Sequence, residues 1–112
     1  MKDPHDTTTV DMYESYNIDL IALDVFQWAS AVFPNRTDSS LYLKMYEEFG
    51  EVIKSNGDPL EVADLFILLL DYAQRKGISL KDVIYQKLEI NKRRHWVIDP
   101  NTGTMNHIHP EE

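Results

Sequence analysis

Apolar residues between Ile18 and Val32 recur at helical spacing: Ile18, Ile21, Ala22, Val25, Phe26, Ala29 and Val32. Asn17 precedes them as a cap and Asp19 suits a first turn, so a helix is predicted over 18–32. FPNRTDSS ends the periodicity, because Pro34 and the small polar residues after it read as a loop. The pattern resumes from Leu41 to about Lys54, where Tyr42, Met45, Tyr46, Phe49, Val52 and Ile53 supply one side. Lys44, Glu48, Glu51 and Ser55 form a second stripe on that helix. SNGDP then breaks the chain, with Gly57 suited to a left-handed residue and Pro59 to a first helical position. The third helix, Pro59 to about Arg75, is apolar nearly all round and is expected to be the central element. Its polar exceptions, Glu61, Asp64, Asp71 and Arg75, keep to one stripe. Gly77 closes it, and Ser79 opens a fourth helix reaching about His95, with Val83, Ile84, Leu88 and Ile90 for packing. The tail DPNTGTMNHIHPEE reads as irregular.

Four helices with short connections predict an all-α, four-helix bundle. Residues 1–15 are expected to form a loose arm, 16–98 the helical domain and 99–112 a tail. The turn between the second and third helices can fold their two acidic stripes back towards each other. With 112 residues, one core is expected, and an oligomer is a natural way to enlarge it. Nineteen acidic against 11 basic residues give a net charge of −8, which opposes general binding to a nucleic-acid backbone. The absence of cysteine removes disulfides and thiolate zinc sites. MKDPHDTTT lacks the apolar core of a secretory signal, and the longest apolar block, Phe66 to Leu70, is too short to span a bilayer.

The charge balance directs attention to two acidic pairs, Glu48-Phe49-Gly50-Glu51 and Glu61-Val62-Ala63-Asp64. Carboxylates on facing helices suit a hard cation such as magnesium, which would relieve their repulsion and neutralise an incoming polyphosphate. Metal-assisted phosphoanhydride hydrolysis is the corresponding reaction. Simpler roles compete. Glu47 reads as a solvated carboxylate, and Glu61 fits a capping box with Asp58. Asp64 lies among Val62, Ala63, Leu65, Phe66 and Ile67, so burial is expected to demand a partner. Asp71 is expected to pair with Arg75, Lys87 or Arg94. Lys87, Asn91 and Arg94 share a face that serves either phosphate or solvent. Trp28, Phe33 and Arg36 form either a base-recognition wall or core, while Trp96 anchors the last segment. His5, His95, His107 and His109 assemble no recognised zinc spacing.

With these motifs in view, residues 18 to 109 resemble the MazG-like all-α nucleotide pyrophosphohydrolases, most closely the small phage dATP/dGTP group. The resemblance rests on the paired acidic motifs, on DLFILLLDYAQRKGIS, and on Lys87, Asn91, Arg94 and Trp96 in KLEINKRRHW. Phe33 and Arg36 are similar to the family's segment before the acidic helix. Two departures stand out: FPNR replaces a glycine-containing FGP-type loop, and Lys44 stands where histidine is usual. The resemblance implies magnesium, with manganese as a substitute, held by Glu48, Glu51, Glu61 and Asp64. It implies hydrolysis of deoxynucleoside triphosphates to monophosphate and pyrophosphate, with Lys44, Lys87, Asn91, Arg94, Trp28 and Arg36 contacting substrate. It further implies a homo-oligomer, dimer or tetramer, in the cytoplasm of a phage-infected host, with no polymeric nucleic acid or membrane as partner. The competing readings are a non-enzymatic acidic interaction protein and hydrolysis of dUTP or a modified nucleotide.

Overall fold

The computed structural model describes residues 17–108, so the expected arm, His5, His109 and the end of the tail lie outside the described residues. Helix α1 spans Ile18–Val32, α2 Asp38–Lys54, α3 Pro59–Arg75 and α4 Leu80–Arg93; strands β1, Trp96–Ile98, and β2, Met105–His107, follow. The described chain divides into two compact units, the first ending at Lys81 and the second beginning at Asp82.

Local chemistry explains the helix limits. The Asn17 side chain accepts from the N–H groups of Asp19 and Leu20, which fixes the start of α1. Helix α2 begins three residues earlier than its apolar pattern indicates. Thr37 and Ser40 form a reciprocal capping box, with each hydroxyl accepting from the other residue's N–H at 3.1 and 2.9 Å. The turn after α2 places both Asn56 (φ 57°) and Gly57 (φ 84°) in the left-handed region. Gly57 N–H then reaches the carbonyl of Val52 at 2.9 Å and closes the helix end. Asp58 caps α3 by accepting from Leu60 N–H, whereas its own N–H donates to Ser55 Oγ. That second bond corrects the expected capping box: the Asp58 N–H that Glu61 would have engaged is taken by the preceding turn.

In the first unit, α3 packs on both α1 and α2, the central position its apolar surface predicts. The buried set is small: Ala22 and Ala29 from α1, Leu41 from α2, and Leu70 and Ala73 from α3. Alanines at these positions let the helices approach closely. The start of α4 is tied to α1, since Asp19 accepts from Leu80 N–H at 2.7 Å and Lys81 N–H at 3.3 Å. Asp38, at the first turn of α2, bonds Arg75 and Lys76 at the end of α3.

The second unit corrects the irregular tail. β1 and β2 pair antiparallel, with Trp96 opposite His107 and Ile98 opposite Met105. Asp99 organises the connection, its carboxylate accepting from Asn101 and Thr102 N–H groups and its carbonyl from Gly103. These bonds hold the Asp99 carboxyl below its ordinary range, the Asn101 bond contributing most. Trp96 lies in β1 rather than at a helix end; its indole N–H donates to the Asn91 carbonyl and its ring meets His107 edge-on. No described helix is long and apolar enough to cross a membrane.

Candidate active site

The α2–α3 hairpin brings Glu48, Glu61 and Asp64 together, with one oxygen from each lying within 4.8 Å of the others. Glu61 and Asp64 are one turn apart on α3, and Glu48 faces them from α2. Burial raises the Glu61 carboxyl above its ordinary range, and the charges of Asp64, Glu48, Glu51 and Asp58 push it further. Glu51 stands outside this close group of three and is exposed, but it contributes to the same field. Hard oxygen donors under mutual repulsion fit a divalent cation.

Asp64 departs from expectation, because it is exposed in the single chain. Its apolar sequence neighbours do not enclose it, because Ala63, Phe66 and Ile67 are themselves exposed and Val62 and Leu65, on other faces of the helix, are only half-buried. The buried acid is Asp71, two turns further on and 2 % exposed. Its partner is Arg36, correcting the three candidates chosen from nearby sequence. The guanidinium grips both carboxylate oxygens at 2.7 Å. Arg75, one of those candidates, pairs with Asp38 instead.

A cleft of about 700 Å³ joins these features within the first unit. Glu48, Asp64, Lys44 and Asp71 line it together with Trp28, Val32, Phe33, Pro34, Asn35 and Arg36. Trp28 and Phe33 meet edge-on, with ring centroids 5.9 Å apart. Lys44 lies 3.3 Å from both Glu47 and Glu48, and these pairs raise its pKa. Trp28 and Phe33 therefore line the same cavity as two of the three clustered carboxylates, Glu48 and Asp64. Val25, Leu68 and Asn35 also line it, although the sequence marked none of them as functional.

Lys87, Asn91 and Arg94 belong to the second unit. Lys87 and Asn91 are one turn apart on α4, and Arg94 lies just past its last residue. Arg94 approaches the Asn91 side-chain oxygen at 3.5 Å, near the limit for a hydrogen bond.

The dATP/dGTP pyrophosphohydrolase family pattern matches residues 22–112. The chain belongs to this family. A dATP/dGTP diphosphohydrolase of Cyanophage S-2L is 40 % identical over 87 residues, which are 76 % of this chain and 82 % of the relative. A second dATP/dGTP diphosphohydrolase, from Salmonella phage PMBT28, is 43 % identical over 82 residues. Those residues are 72 % of this chain but span 28 % of that longer protein. Among solved structures, the Cyanophage S-2L MazG-like pyrophosphohydrolase bound to dGDP and three catalytic Mn²⁺ ions per active site superposes with a TM-score of 0.77. It is 37 % identical, and the match covers 85 % of this chain and 95 % of that one. As a dATP/dGTP pyrophosphohydrolase family member the chain is an enzyme with a MazG-like helical fold.

Proposed function

We propose that the chain hydrolyses dATP and dGTP to the deoxynucleoside monophosphate and pyrophosphate, using Mg²⁺ or Mn²⁺. The observation that carries this reading is the convergence of Glu48, Glu61 and Asp64, two of which, Glu48 and Asp64, line a cleft also lined by Trp28 and Phe33. Relatives named for dATP and dGTP, and a neighbour holding dGDP with Mn²⁺, support the substrate class and the cation.

Glu48, Glu61 and Asp64 would hold the cation, with Glu51 offering a fourth carboxylate at the edge. A bound divalent cation supplies charge neutralisation for the polyphosphate and eases formation of a nucleophile from water. One carboxylate of the set orients or deprotonates the attacking water. Lys44 carries a point charge suited to phosphate oxygen once substrate competes with Glu47 and Glu48. Trp28, Phe33 and Arg36 form the wall facing the nucleoside. Lys87, Arg94 and Asn91 are assigned phosphate and nucleoside contacts on their family pattern alone. The active species is a homo-oligomer, dimer or tetramer. Its place is the cytoplasm of a phage-infected bacterial host.

Pure protein incubated with Mg²⁺ or Mn²⁺ and a panel of ribo- and deoxynucleoside triphosphates, with products resolved by chromatography, tests the reading. Pyrophosphate and dAMP or dGMP are expected. Orthophosphate with a diphosphate product would reject the bond assignment. No turnover of any nucleotide would leave an acidic interaction protein as the better account, whereas dUTP as best substrate would reject the base preference.

A further inference from the structure

The geometry points to Asp71 as a positioning residue that acts through Arg36 to fix the nucleoside wall of the cleft. This inference rests on the function proposed above and extends it to a residue outside the carboxylate group. Asp71 is the buried charged residue of the described chain, and it lies seven residues, about 10 Å along α3, from Asp64. Arg36 gives it Nε and a terminal nitrogen, both at 2.7 Å, in the two-pronged geometry that fixes a guanidinium plane. The remaining contacts of Arg36 are what make the pair more than a local staple. One terminal nitrogen also donates to Ser30 Oγ at 3.0 Å, and the other donates to the Phe33 carbonyl at 3.1 Å. The guanidinium carbon sits 5.3 Å from the centre of the Phe26 ring.

One buried carboxylate on α3 thus holds a cation that binds two side chains of α1 and the backbone of the loop leaving it. That loop is Phe33-Pro34-Asn35-Arg36, and all four residues line the cleft. The next residue, Thr37, caps α2, the helix that carries Lys44 and Glu48. Without the Asp71 charge, Arg36 loses its anchor, and the loop loses the bond that sets its distance from α3. The wall would then move relative to the carboxylates while the carboxylates themselves stay on their own hairpin. Nucleoside placement should suffer, and cation binding should not. Small displacements of this kind lower productive binding steeply.

The test is kinetic, on the full chain, with dATP and dGTP compared with dCTP and dTTP under saturating Mn²⁺. Asp71→Asn keeps the side-chain shape and removes the charge. Arg36→Lys keeps the charge and removes the fork, which lysine cannot reproduce. Ser30→Ala removes one outer contact and serves should either of the others fail to fold by circular dichroism. KM for the purine nucleotides is expected to rise roughly tenfold in the first two and by about twofold to threefold in Ser30→Ala. The purine-to-pyrimidine ratio of kcat/KM should fall in all three, while in Asp71→Asn and Ser30→Ala kcat and calorimetric Mn²⁺ affinity without nucleotide stay within about twofold of wild type. Folded variants with unchanged KM and base ratio would overturn the inference, and so would a matching loss of Mn²⁺ affinity, which would place Asp71 in the cation site. Wild-type protein without turnover would overturn the proposed function and this inference together; active wild type with unaltered variants would overturn this inference alone.

Discussion

Two aspartates seven residues apart on one helix have opposite fates. Asp71 is enclosed and matched to a guanidinium, whereas Asp64 stands exposed beside two other carboxylates. Burial first, and then the repulsion of the neighbouring carboxylates, raise the Glu61 carboxyl, and a cation bound among them would relieve that repulsion. Mn²⁺ should therefore raise the melting temperature of the wild-type protein. At a hundredfold excess over Kd the gain corresponds to about 2.7 kcal/mol. Glu61→Gln and Asp64→Asn should abolish that shift in differential scanning fluorimetry; a shift as large as wild type's in both would remove them from the cation site. Asp38 gives a separate pH signature. Its bonds to Lys76 first, and to Arg75, hold its carboxyl below the ordinary aspartate range. A depressed carboxyl stabilises the fold above its unfolded pKa, near 3.9, and that contribution vanishes as pH falls through the folded value. Asp38→Asn should accordingly lower the urea midpoint at pH 7 and leave it close to wild type at pH 2, with the difference closing on acidification.

At the scale of elements, the acidic site depends on a four-residue turn and on where α2 begins. Gly57, at φ 84°, occupies backbone space that a Cβ makes costly even though open space surrounds the position. Gly57→Ala should cost about 1–2 kcal/mol in chemical denaturation. Thr37→Ala should cost about 1 kcal/mol by removing the α2 cap. The two changes should separate in function, because the turn adjoins the end of the hairpin that carries Glu61 and Asp64, whereas Thr37 caps the opposite end of α2. A larger fall in Mn²⁺ affinity for Gly57→Ala than for Thr37→Ala is expected from calorimetry. The helices themselves were largely legible. Asn17 and Gly77 are local signals that marked α1 and α3 correctly, and Pro59 marked the first turn of α3. The start of α2 was harder to read, because Thr37-Asp38-Ser39-Ser40 resembles a loop until the reciprocal hydroxyl bonds are seen. The β-hairpin was missed because its strands have three residues each, too few for an alternating pattern to register. Its one readable signal was Asp-Pro-Asn-Thr-Gly, a turn sequence between them.

At the scale of the molecule, the buried apolar residues among those described are two leucines and three alanines, while many larger apolar side chains are exposed. On the α2–α3 hairpin alone, Tyr46 is 80 % and Leu60 77 % exposed, and Leu43, Phe49, Ile53 and Phe66 are exposed as well. Such a surface is what association would cover. Analytical ultracentrifugation should find a species larger than the 13.1 kDa chain, and Tyr46→Lys with Phe66→Lys should shift it towards monomer. A wild-type monomer at micromolar concentration would reject the proposed oligomer. The sequence alone determined the helical registers, the turn residues and the stripes on which the acids lie. These follow from hydrogen bonds and side-chain neighbours within one or two turns, so local order is enough to read them. Tertiary structure decided which acids converge, that Asp71 rather than Asp64 is buried, and that Arg36, 35 residues away, is its partner. Those outcomes depend on which helix faces meet in space, and no spacing along the chain encodes that directly.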